Sequence, residues 1–150
     1  MLSINGDGIC HGGPPDSQEV PESYLPTVRR ALEIIQTRIR GHYRCDEIFS
    51  ALPNGRDFRT LFDDPNTWIN YDPSNREGDW GWTMPRGYPK DLVVTRFTLR
   101  MGRWSTAGTI IHELAHLDGA PGGNSHAAEE TLRYCGLQSP NGPYDPHVRG

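Results

Sequence analysis

A chain of 150 residues carries one ordinary domain, and with only 35% apolar residues, 17 Gly and 13 Pro it holds no coiled coil, helical array or membrane span. A net charge of −4 with scattered basic residues, Lys90 being the only lysine, leaves no nucleic-acid footprint. Four Trp, 6 Tyr and 4 Phe are too many aromatics for a disordered chain.

Residues 1–21 are rich in Gly and Pro and read as an irregular N-terminal arm. Their opening run lacks the basic and apolar regions of a secretory signal peptide. The chain is therefore expected in the cytoplasm, exported by a signal-independent route, or excised from a larger carrier chain. Cys10, Cys45 and Cys135 form no C-x-x-C pair, which excludes a thiolate zinc knuckle and a thioredoxin-type dithiol. One disulfide with a free thiol, or three buried thiols, both remain open.

Leu25, Val28, Leu32, Ile35 and Ile39 recur at helical spacing, framed by Ser23 as cap, Pro26 in the first turn and Gly41 at the stop. This is an amphipathic scaffold helix. Residues 42–90 are dense in breakers, with short strands expected over 67–71 and 80–84. Trp68, Trp80 and Trp82 are read as core rather than as a cleft lining. Residues 91–101 form the clearest strand, with Val93, Thr95, Phe97 and Leu99 alternating against Arg96 and Thr98. Two closing helices complete a single α+β domain over 1–150.

The first closing helix, 105–119, contains Ile-Ile-His-Glu-Leu-Ala-His-Leu-Asp-Gly, with Ser105 as cap and Gly119 as stop. Ala107, Ile110, Ile111, Leu114 and Leu117 make its apolar back. His112 and His116 stand one turn apart on the other side, so both imidazoles can turn a nitrogen to one ion. Glu113 lies about 100° round the helix, too far to be the next ligand but near enough to reach a water beside the ion. The plain alternative is two solvent-facing histidines and a surface glutamate, which would need neither the caps nor the apolar back. Residues 124–136 form the second helix, capped by Asn124 or Ser125 and stopped by Gly136, with Ala128, Thr131, Leu132 and Cys135 inward. Glu129 lies nearest that inward face, with Glu130 and His126 as rival metal-competent side chains.

The run His112-Glu113-Leu114-Ala115-His116 resembles the zinc helix of the zincin metallopeptidases, and the likeness extends over residues 105–135. It implies a minimal zincin-like fold: scaffold helix, small twisted sheet, H-E-x-x-H helix and a following ligand-bearing helix. It implies Zn²⁺ as cofactor and a protein or peptide as substrate, lying along strand 91–101 as the sheet edge, with neither nucleic acid nor membrane as partner. The run reaches Gly119 as in metzincins, but their third histidine would fall on Gly122, so that subclass is excluded. A glutamate from the next helix resembles the gluzincin arrangement, with His112, His116 and Glu129 as ligands. Arg133 stands where thermolysin-like members carry an acidic residue. The compact site also resembles metallopeptidase domains of bacterial toxin systems.

In that scheme Glu113 is the general base and Tyr144 faces the oxyanion, with Tyr134, His147 and Arg133 as rivals and a packing aromatic as the plainer reading of Tyr144. Asp118 suits either a carboxylate behind a ligand imidazole or, more simply, a turn former before Gly119. A zinc amidase acting on a small molecule or cell-wall peptide, and a non-catalytic zinc-stapled binding module, are the alternatives. A peptide deformylase lacks its upstream cysteine ligand here.

Overall fold

Residues 1–122 and 126–137 are described in a computed structural model. Helix α1 (Leu25–Ile34) carries the expected stripe, with Leu25, Val28 and Leu32 buried. Buried Ile35 and Ile39 extend it through a π-helical turn, Ile35–Ile39. That wider turn bonds Arg40 N to Ile35 O at 2.8 Å, and Gly41, at φ +89, ends it. Ser23 does not cap the helix. A 3₁₀ turn, Glu22–Tyr24, leads in, and Tyr24 takes the cap position without a side-chain bond.

The sheet is mixed. Its strands β1 (Ser3–Ile4), β2 (Trp68–Asp72), β3 (Gly81–Met84) and β4 (Tyr88–Thr95) lie in the order β1-β2-β4-β3. β1, β2 and β4 run parallel, and β3 runs antiparallel to β4. Ile69, Tyr71, Leu92 and Val94 join the core cluster with α1 and α5 (Arg103–Leu117), giving the expected α+β class. The arm is more ordered than its composition suggested. Its β1 extends the sheet, Gln18 bridges Tyr71, and Leu2, Ile4 and Val20 are buried. Between these anchors His11 Nε2 meets Asp91 Oδ1 at 2.8 Å and the His11 ring stacks on Trp68 at 4.3 Å. Asn5 donates to Asn70 Oδ1 at 2.9 Å, so the polar second face of the sheet is covered and satisfied.

Two helices in the breaker-rich region were not anticipated, α2 (Tyr43–Ser50) and α3 (Phe58–Phe62). Both are too short to persist on propensity. Three buried phenylalanines hold them: Phe49 packs edge-on to Phe58 at 5.1 Å, and Phe58 stacks on Phe62 at 5.8 Å. Asp57 caps α3 by accepting from Thr60 N at 2.7 Å.

The strand expected over 91–101 is half strand, half helix. β4 ends at Thr95, whose hydroxyl accepts from Thr98 N at 3.3 Å and caps α4 (Arg96–Met101). Nor is β4 the sheet edge, since it is paired on both sides; β3 takes that place. Trp68, Trp80 and Trp82 are half-buried and do not join the core cluster, against expectation. Trp82 instead donates to Asp72 Oδ2 at 2.8 Å. Cys45 and Cys135 form a disulfide that ties α2 to the end of α6 (Ala127–Tyr134), and Cys10 is a free, exposed thiol. No helix among the described residues is long and apolar enough to cross a membrane.

Candidate metal centre

Helix α5 begins two residues earlier than expected, at Arg103, because Gly102 at φ +109 breaks the chain between α4 and α5. Ser105 is therefore not a cap. It is buried, and its hydroxyl pairs with Thr98 Oγ1 at 2.7 Å, while Thr98 also meets Thr109 Oγ1 at 2.9 Å. These hydroxyls lock α4 against α5. Ala107, Ile110, Ile111, Leu114 and Leu117 are all buried, so the apolar back faces the core as expected and the histidines turn outward to a cleft.

At the end of α5, Asp118 does more than form a turn. It is fully buried, and its Oδ1 accepts from Arg56 N at 3.2 Å and Arg56 Nε at 3.1 Å. Its Oδ2 has no partner among the described residues, and burial raises its pKa against the pull of Arg56. It touches neither histidine ring; it fastens the 53–56 loop to the helix end, where Gly119 at φ +96 sits against Pro53 and Asn54.

His112 and His116 meet with their Nε2 atoms 3.1 Å apart. Each ring is held from behind. His116 Nδ1 lies 2.8 Å from Ala120 O, and His112 Nδ1 lies 2.9 Å from Glu129 Oε1. A carbonyl and a carboxylate only accept, so each ring carries its proton on Nδ1. Two neutral rings would then point Nε2 lone pairs at each other, an arrangement relieved by a proton on one Nε2 or by a metal ion between them. Two nitrogen ligands of a tetrahedral zinc at ~2.0–2.1 Å stand about 3.3 Å apart, close to what this pair presents. The ring pair thus fits a metal ion. Burial, with the neighbouring His112, keeps the pKa of His116 below the ordinary value. Burial also opposes charge on His112, but the Glu129 hydrogen bond and the nearby Glu113 outweigh it and raise its pKa.

Glu113 is buried, 4.0 Å from His112 Nε2. Its pKa is pushed up to about 7, first by burial and further by the carboxylates of Asp79 and Glu129, with His112 pulling the other way. Such a carboxyl is poised to take and return a proton near neutral pH. Gly81 makes this closeness possible. A Cβ there would stand 2.6 Å from Val93 O and 2.7 Å from Thr109 Cγ2, so only glycine lets β3 lie against α5 beside Glu113. A cleft of about 410 Å³ is lined by Trp82, Thr83, His112, Glu113 and His116.

Compared with protein-family models, curated proteins and solved structures, the chain matches none.

The three expected ligands are brought together unevenly. His112 and His116 converge. Glu129, from α6, reaches His112 but engages its Nδ1, and no group of three His, Cys, Asp or Glu converges among the described residues. Glu130 and His126 are exposed. Tyr144 and His147 lie outside the described residues, as do Asn124 and Ser125, and Tyr134 and Arg133 are exposed on α6. Asp79, Gly81 and the Ala120 carbonyl went unnoticed in the sequence. The first two sit in the run Gly78-Asp79-Trp80-Gly81-Trp82, legible only as the start of a strand.

Proposed function

We propose that this chain is a zinc-dependent metallopeptidase of zincin-like fold. The observation that carries the reading is the facing pair of Nε2 atoms, each ring pinned by an acceptor at Nδ1. His112 and His116 would hold the ion, with Glu129 behind His112 at Nδ1 rather than in the ligand position expected of it. When bound, Zn²⁺ supplies a Lewis acid that polarises a scissile carbonyl and makes water acidic enough to attack near neutral pH.

The remaining steps belong to the chain. Glu113, buried beside the pair, accepts a proton from the attacking water and returns it to the leaving amine. Ala120 O and Glu129 keep the two imidazoles in the tautomer that leaves Nε2 free. The outer edge of β3, bordering the same cleft, offers backbone groups to an extended peptide, in the role that resemblance assigned to residues 91–101. A buried carboxyl beside the histidine pair, lining an open cleft, favours catalysis over a purely structural zinc staple, which has no use for one.

The test is zinc stoichiometry and cleavage of an unfolded protein by the chain and by Glu113→Gln. We expect one equivalent of zinc in both and cleavage only by the parent. Cleavage surviving the substitution, or absence of zinc from the parent, overturns the proposal.

A further inference from the structure

We propose that the Cys45–Cys135 disulfide is a redox latch on the metal centre, closing the site only where thiols are oxidised. The inference rests on the zinc reading above for its functional consequence, and on the packing of α6 for its mechanism. Helix α6 has eight residues, below the length at which a helix holds itself in water. What seats it is burial of Ala128, Thr131 and Leu132 against α5 and α2, together with the covalent tie at its C-terminal end. Of those three side chains only Leu132 is large. Glu129, the side chain through which α6 reaches His112, lies six positions before Cys135, about 9 Å along the helix. The disulfide therefore acts on the ring through one short rigid element.

The third cysteine does not compete. Cys10 lies exposed on the arm, hydrogen-bonded to Glu19, whose carboxylate raises its pKa and keeps it a thiol rather than an attacking thiolate. Both linked cysteines are buried, so exchange with outside thiols has to pass through an opening of α6. The chemistry balances simply. Two molecules of a monothiol such as glutathione give up two electrons and two protons, the S–S bond breaks to two cysteine thiols, and the reductant leaves as its own disulfide. The reverse exchange, with glutathione disulfide as oxidant, closes the latch. In a reducing cytosol α6 is unlatched and His112 loses the carboxylate behind it; in an oxidising compartment the site is whole.

Zinc affinity, measured by competition with a chromophoric chelator, tests this on the oxidised chain, the phosphine-reduced chain, Cys45→Ala/Cys135→Ala and Cys10→Ala. We expect at least a tenfold loss of affinity in the reduced and double-substituted proteins, and none in Cys10→Ala. Hydrogen exchange on the same samples should show amides of 127–134 losing protection on reduction while those of 103–117 keep theirs. Equal affinity with and without the bond overturns the latch. So does loss of protection throughout the chain, since the bond would then hold the whole fold rather than α6. An oxidised chain that binds no zinc at all would sink the metallopeptidase reading alone, because exchange in α6 still decides the latch.

Discussion

Replacing Glu113 with glutamine should make the zinc-free protein more stable at alkaline pH. In the unfolded chain this carboxyl titrates at 4.5; in the fold burial lifts it to about 7. Below pH 4.5 it is protonated in both states and contributes no difference. As pH rises from 4.5 to 7 the unfolded chain releases the proton while the folded one keeps it, so stability falls across that window and is flat above it. At ~1.4 kcal/mol per pH unit of displacement the penalty reaches about 3 kcal/mol, and with a side chain almost wholly buried there is little solvent to screen it. Glutamine has the same shape without the charge. Urea unfolding followed by tryptophan fluorescence, in the presence of a chelator, should therefore show Glu113→Gln gaining about 3 kcal/mol on the parent between pH 4.5 and pH 8. A gap between the two proteins that is the same at both pH values would refute the reasoning. It would mean that the carboxylate is solvated in the fold and that burial gives it no special basicity.

The approach of β3 to α5 predicts that Gly81→Ala displaces the strand, costing about 1–3 kcal/mol in thermal unfolding and depressing peptide cleavage more than that loss implies. Retention of full activity would show that the β3 edge takes no part in the site. Removing the partner of Asp118 by Arg56→Ala should cost about 2–4 kcal/mol at pH 8 and less at pH 5, because a carboxyl already raised by burial can then neutralise itself. Urea unfolding at the two pH values checks this, and a loss independent of pH would count against a buried, charged Asp118.

The stripe from Leu25 to Ile39 and the apolar back of α5 were legible because a helix repeats its buried face every turn, and five or more side chains vote for the same answer. The same rule located His112, Glu113 and His116. It failed where an element is short. The strand pattern in 91–101 runs through β-branched residues without a break, yet Thr95 turns the chain into α4 by capping it, and alternation cannot show that. α3 and the two-residue β1 are too short to show a period; α3 exists because Phe58 packs on Phe49 of α2, and β1 because Ile4 pairs with Ile69, far along the chain.

By itself the sequence determined the chemistry on offer: two imidazoles and a carboxyl on one turn of one helix, since spacing within a helix is set by local hydrogen bonds alone. Only the tertiary structure decided what those groups experience. Burial beneath β3 raises Glu113, and the Ala120 carbonyl and Glu129 choose the tautomers. The pairing of Cys45 with Cys135, 90 positions apart, ties the end of the helix that carries Glu129 to α2. These are matters of desolvation and of contact between segments remote in the chain, and no local pattern carries them.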